Sequence, residues 1–148
     1  METRQLLNDA LKNAMRAGDG MRTQAIRMVL STIKLSEVEK GSPLDEAGVI
    51  SVIQKEIKSR VESIQDAQKA SRPDLIAKAE SDIAFLETFL PKQLTADELA
   101  ELVRQAVVEV NATNPADMGK VMKALMPKVQ GRAAGNLVSE AVRKQLQN

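Results

Sequence analysis

Apolar residues recur three or four positions apart along almost the whole chain, and no Val/Ile/Thr run alternates for long enough to make a strand. The pattern predicts an all-α protein. Leu6, Leu7, Ala10, Leu11, Ala14 and Met15 form a first helical stripe, which stops before the turn signal Gly18-Asp19-Gly20. Ile26, Val29, Leu30, Ile33 and Val38 mark a second helix, expected to be closed near Gly41-Ser42-Pro43 by the proline. A third and longer helix runs from about Asp45 to near Ala70. Its stripe is Ile50, Ile53, Ile57, Val61 and Ile64, with Glu56 and Arg60 paired on the outside. Pro73 suits the first turn of a fourth helix, which carries Leu75, Ile76, Ala79, Ile83, Leu86 and Leu90 and ends at Pro91.

Thr95-Ala96-Asp97-Glu98 reads as a capping box, so a fifth helix is expected to bury Leu99, Leu102, Val103, Ala106, Val107 and Val110, with Asn111 to Asn114 as its exit. Pro115 opens a sixth with Met118, Val121, Met122 and Leu125, stopped by Pro127. A loop from Lys128 to Gly135 leads into a seventh, with Leu137, Val138, Ala141, Val142 and Leu146. A proline stop and a fresh cap lie within a few residues at Leu90-Pro91-Lys92-Gln93-Leu94, which makes this the expected domain boundary. The division is a four-helix unit, residues 1–91, and a three-helix unit, residues 92–148. The second unit is short enough to need a well-packed core.

The 148 residues include no Cys, His, Trp or Tyr, and the aromatic residues are Phe85 and Phe89, four apart and expected in the core. That composition excludes a disulfide frame, a Cys/His metal site and imidazole acid–base chemistry. It also supplies no aromatic platform on which bases could stack. The carboxylate pairs lie in or beside helices with Lys or Arg near them, as solvated faces do, and Lys58 and Ser59 point to different sides of their helix. No catalytic residue, metal ligand or cofactor is therefore expected. No stretch approaches the roughly eighteen apolar residues of a membrane span, and Met1-Glu2-Thr3-Arg4-Gln5 leads into an amphipathic pattern rather than a signal peptide. The expectation is a cytoplasmic protein without a membrane partner.

Charge is more informative than composition. The net charge is +1, yet residues 1–91 carry 13 basic and 14 acidic side chains whereas residues 92–148 carry 8 and 6. From Met118 onward, Lys120, Lys123, Lys128, Arg132, Arg143 and Lys144 face a single acid, Glu140. At about 100° per residue, Met118, Val121, Met122, Leu125 and Met126 share one arc of the sixth helix, and Lys120 and Lys123 fall together outside it. The Met stripe is expected in the core. Lys128 and Arg132 are placed in the loop before the last helix, whose first N–H groups could bind an anion.

Four motifs carry a family resemblance: Lys55-Glu56-Ile57-Lys58-Ser59-Arg60-Val61-Glu62-Ser63-Ile64, Phe89-Leu90-Pro91-Lys92-Gln93-Leu94, Met118-Gly119-Lys120-Val121-Met122-Lys123-Ala124-Leu125 and Gly131-Arg132-Ala133-Ala134-Gly135. In order and spacing they resemble the YqeY family along essentially the whole chain. That family is similar to the C-terminal tail of GatB, the B subunit of the glutamine-dependent aminoacyl-tRNA amidotransferase, and to a domain appended to some glutaminyl-tRNA synthetases. The resemblance implies a non-catalytic accessory module that grasps the outer corner of tRNA. A synthetase or amidotransferase is the implied partner, and any carbon–nitrogen ligase label with glutamine as donor is inherited from it. The family's basic, glycine-containing motif carries over onto Gly119, Lys120, Met122, Gly131, Arg132 and Gly135. Lys120 and Arg132 are then candidate phosphate contacts, while Gly131 and Gly135 would let backbone approach a ligand or bend the loop. Met122 is assigned to the core. The candidate nucleic-acid-binding set is Lys120, Lys123, Lys128, Gly131, Arg132 and Gly135. The sequence departs from the family pattern at Ala134, where Asp is usual, which removes an N-cap from the last helix. The alternative to RNA binding is a protein-interaction adaptor docking through the third or the sixth helix, and an exposed apolar patch would favour it.

Overall fold

A computed structural model describes residues 2–147, and among these the chain is helical throughout with no strand. The all-α expectation holds. The helices are α1 (Thr3–Arg16), α2 (Gly20–Lys40), α3 (Glu46–Lys69), α4 (Pro73–Glu87), α5 (Ala96–Glu109), α6 (Met118–Val129) and α7 (Gly135–Gln147), with a 3-10 turn at Pro115–Asp117 leading into α6. The chain divides into two compact units, the first ending at Leu90 and the second beginning at Pro91.

The first unit packs α1 to α4 around Leu7, Ile26, Val29, Ile33, Val49, Ile53 and Leu86, all essentially inaccessible to water. Helix-to-helix bonds fix how these elements meet. The Glu46 carboxylate of α3 accepts from the Thr3 backbone N–H at the start of α1, at 3.1 Å to each oxygen, and from the Thr3 hydroxyl. It thereby satisfies a donor that the first turn of a helix leaves without an internal partner. Glu37 of α2 binds Arg4 of α1 at 2.8 Å and accepts from the Leu44 N–H at 2.7 Å. The Arg4 guanidinium first, and the Leu44 N–H second, hold the Glu37 carboxyl below its usual range. Because Glu37 faces inward on the last turn of α2, Val38, about 100° further round, is 71% exposed rather than buried as its place in the stripe suggested.

The helix ends follow local rules. α1, α3 and α5 finish alike: the residue after the C-cap is left-handed, at Gly18, Ser71 and Asn111, and the following N–H reaches back to the carbonyls of Ala14, Ala67 and Val107. α2 ends differently from expectation. Gly41 takes φ +77° and its N–H bonds the Glu37 carbonyl, so the glycine terminates the helix, and Pro43 lies two residues beyond. α4 stops at Glu87, short of Leu90, because Phe89 and Leu90 turn in 3-10 fashion onto the carbonyls of Leu86 and Glu87. Phe89 is buried and meets Phe85 edge to face at 5.2 Å; Phe85 is only partly buried, with the Arg22 guanidinium 4.9 Å over its ring.

The Glu56–Arg60 pair also departs from expectation, since it faces α4 rather than solvent. The Arg60 side chain is 12% exposed, 2.8 Å from Glu56 and 3.4 Å from Asp82 of α4. Val61, the next residue round, is consequently exposed.

The second unit is a three-helix bundle around Leu99, Val103, Ala106, Val121, Leu125, Val129, Val138, Val142 and Leu146. The Thr95 hydroxyl accepts from the Glu98 N–H at 3.1 Å and starts α5, as the capping pattern requires. Pro127 does not stop α6. Its ring fits helical φ and forfeits one bond, to the Lys123 carbonyl on the solvent side, while the Gln130 N–H bonds Met126 and closes the last turn beyond it.

Candidate nucleic-acid interface

α6 is held at its start by two side chains of the preceding turn. Asn114 accepts from the Ala116 N–H at 2.9 Å, and Asp117 accepts from the Thr113 N–H at 2.9 Å. The Thr113 N–H is the main reason that the Asp117 carboxyl lies below its usual range, and the Lys120 ammonium adds to the effect. With the helix so anchored, Val121, Leu125 and Val129 are buried, and Met118, Met122 and Met126 pack partly buried against the same core. The Met stripe is core, as its arc predicts. Lys120 and Lys123 project to water about 60° apart and one turn along. Lys120 approaches Asp117 at 3.9 Å, an exposed contact too weak to immobilise it.

Lys128 is not in a loop. It lies in the last turn of α6, about 12 Å along the axis from Lys120, and turns to Glu109 of α5 at 3.2 Å. Extending α6 past Pro127 places its charge where it complements the helix dipole, which gives Lys128 a structural role beside any contact with an anion.

The turn between α6 and α7 is built on Gly131, which is buried and at φ +77°, a conformation that side-chain-bearing residues rarely adopt. The entry segment of the unit is laced to it. The Leu94 N–H bonds the Arg132 carbonyl at 2.8 Å, the Gln93 amide spans the carbonyls of Pro91 and Gly131, and Arg132 Nε reaches the Lys92 carbonyl at 3.3 Å. Two motifs forty residues apart in sequence thus form one seam, with Lys92 exposed beside Arg132. Lys92 belongs with the candidate cations, and periodicity could not have found it; the signal was its place in a motif that resembles the family's.

The other two glycines have no such geometric demand. A Cβ at Gly119 or Gly135 would meet no atom within 4 Å, and neither has positive φ. Gly131 bends the loop, as the sequence suggested, whereas nothing in the packing requires glycine at Gly135. Ala134 stands in the capping position of α7, where its carbonyl accepts from Leu137 and Val138 and its methyl offers the free N–H groups nothing. The six candidates therefore divide into Lys120 with Lys123 on the exposed face of α6, Arg132 and Gly131 at the seam, Gly135 opening α7, and Lys128 drawn to α5.

The structure defines an all-helical, two-unit protein whose cation excess lies on the C-terminal unit. The chain belongs to the YqeY family, matching the family described as Yqey-like protein over residues 4–146. It is similar to "Altered inheritance of mitochondria protein 41, mitochondrial" of Lachancea thermotolerans, 34% identical over 132 residues that make up 86% of this chain and 68% of the relative. The protein of the same name from Kluyveromyces lactis is 36% identical over 74% of this chain and 60% of its own length. That from Pyrenophora tritici-repentis is 34% identical over 93% and 75%. These relatives extend beyond the matched region and are named as mitochondrial; neither their names nor the family description states a reaction. Among the described residues, no helix is long and apolar enough to cross a membrane.

Proposed function

We propose that the chain is a non-catalytic tRNA-binding module whose C-terminal unit holds RNA backbone. The observation that carries this reading is the set of weakly engaged cations of the second unit, the exposed Lys120 and Lys123 on α6 and the exposed Lys92 with the half-buried Arg132 at the seam, together with a stretch from Met118 onward whose single acid is Glu140. Cations spaced along helices of a unit that contains no aromatic residue suit phosphates and shape rather than sequence. Its setting is translation in the cytoplasm, free or beside an aminoacyl-tRNA synthetase or amidotransferase; the relatives carry a mitochondrial designation of their own. A carbon–nitrogen ligase label comes by association with that partner.

Fluorescence anisotropy of labelled total tRNA against the wild-type chain and a Lys120→Glu/Arg132→Glu variant, across a salt series, tests the reading. Wild type is expected to give a slope of log K against log salt of roughly −2 to −4. In the variant the slope should shrink by about 2, one unit for each lost phosphate contact. Equal binding by both proteins, with the variant shown to be folded by circular dichroism, would remove the C-terminal unit as the RNA-holding element.

A further inference from the structure

The motif around Arg60 lies outside the residues of the RNA reading, and the structure gives it a surface of its own. Glu56, Ser59, Arg60 and Ser63 recur at three- and four-residue spacing on α3, and all four face a groove of about 560 Å³ formed within the first unit by α2, α3 and α4. Small residues make the groove: Ala25, Ala67 and Ala79 are each buried at its floor, where larger side chains would have closed the helices together. The exposed side chains of Met21, Met28 and Leu75 form its apolar walls. On α2 the apolar stripe continues at seven-residue spacing from Met21 and Met28 to the exposed Leu35.

We propose that this groove docks a basic amphipathic helix of a partner protein. Its length favours a polypeptide segment over a small molecule, since Glu56 to Ala70 extends for about 21 Å along α3. Unbranched, polarizable Met side chains suit a surface that must mould itself to another helix's apolar anchors. Charge complementarity selects the sign of the partner. Glu56, Asp66 and Asp82 line the groove against Arg60 and Lys78, and Arg60 is already clasped by Glu56 and Asp82. Among the described residues neither Asp66 nor Lys78 forms an ion pair and their charges offset one another, so the groove keeps the net charge of −1 by which Glu56 and Asp82 exceed Arg60, and an incoming Lys or Arg meets that excess. The proposal is independent of the RNA reading, which concerns other residues of another unit.

The methionines themselves supply the assay. Met21 and Met28 line the groove, whereas Met118, Met122 and Met126 lie in the second unit. Methyl NMR of the full chain, labelled at methionine, is titrated with an 18-residue helical peptide of Leu, Ala and Lys bearing Leu on one face. A matched peptide with Glu for Lys serves as the comparison. The Lys peptide is expected to move the Met21 and Met28 methyls and leave the other three in place. The Glu peptide should bind at least about fivefold more weakly. Met28→Glu, a change at a side chain already 47% exposed, should lower affinity for the Lys peptide by about tenfold. Leu75→Glu on the opposite wall should do the same, and Asp66→Lys should erase the preference for Lys over Glu. Three outcomes overturn the proposal: equal response to both peptides, movement confined to Met118–Met126, or no movement at millimolar peptide. Concentration-dependent shifts of Met21 and Met28 without peptide, with a doubled mass by light scattering, assign the groove to a second copy of this chain and overturn it too. If tRNA moves these same methyls, the surface is an RNA site and the peptide proposal falls, whereas loss of tRNA binding by Lys120→Glu/Arg132→Glu alone leaves it intact.

Discussion

The two units are built from the same material and turn different surfaces to solvent. Among the described residues, Leu6, Met15, Met21, Met28, Leu35, Val38, Val61 and Leu75 of the first unit are large, apolar and exposed, against Val108 and Leu137 of the second. Charge runs the other way, with a slight acid excess in residues 1–91 and a basic excess in 92–148. Single exposed apolar residues need no explanation, but a stripe that runs along α2 beside a groove marks a surface suited to a partner. The second unit covers its apolar stripes more completely and carries the basic excess on its surface. The difference teaches that two helical bundles packed by the same rules can present unlike surfaces, one an apolar stripe beside a groove and the other a basic face.

The sharpest way to break this comparison is to remove one core at a time. The two cores share no residue. Leu125 is fully buried in the second, and Leu125→Ala should cost about 3 kcal/mol. That is a large share of what so small a unit can hold. The expected outcome is a collapsed shift dispersion for Met118, Met122 and Met126 and lost tRNA binding, with Met21 and Met28 unmoved. Ile53→Ala in the first unit should produce the mirror image. Should either substitution melt both methyl sets in one transition, the units are a single cooperative body and the division of labour loses its basis.

A smaller effect is expected at Arg60. Arg60→Met leaves Glu56 and Asp82, both largely covered, without their shared donor, and should destabilise the first unit by about 2 kcal/mol in urea unfolding. Arg60→Lys keeps the charge but not the planar fork and should fall between the two. tRNA affinity is expected to stay at the wild-type value in both. A drop in tRNA affinity with Arg60→Met would tie the groove to RNA and erase the contrast between the units.

How much of this was legible in the sequence depended on the range of the determining interaction. The starts of α3 and α5 were readable because Asp45 and Thr95 cap through their own side chains within three residues, whereas Asp19 read only as part of a turn and proved to cap α2. The Met stripe of α6 was assigned to the core by its arc alone. Exposure of Val38 and Val61 was hidden, because it follows from Glu37 and Arg60 taking inward positions to meet Arg4, Leu44 and Asp82, partners on other segments. Pro127 misled for a different reason: a proline near a helix end loses only one bond, here to a solvent-side carbonyl, and the Gln130 N–H still reaches Met126 to close the turn beyond it. In the candidate interface, Lys120 and Lys123 could be paired by angle. The approach of Lys92 to Arg132 could not, since it rests on backbone bonds across forty residues.

The smallest expected effect, and the one that best separates fold from function in the second unit, is at Ala134. An aspartate there would accept from the free N–H groups at the start of α7 and place negative charge at the positive end of the helix dipole, stabilising the unit by about 1 kcal/mol. For a unit of this size that corresponds to a rise in Tm of about 4–8 °C, readable by circular dichroism. The same charge lies two residues from Arg132 and should weaken tRNA binding about threefold, the scale of one exposed charge pair. Ala134→Asn distinguishes the causes, because it caps without charge and should raise Tm while leaving affinity unchanged. If Ala134→Asn weakens binding as much as Ala134→Asp, the loop acts through its shape rather than its cations, and the electrostatic account of this unit fails at its central turn.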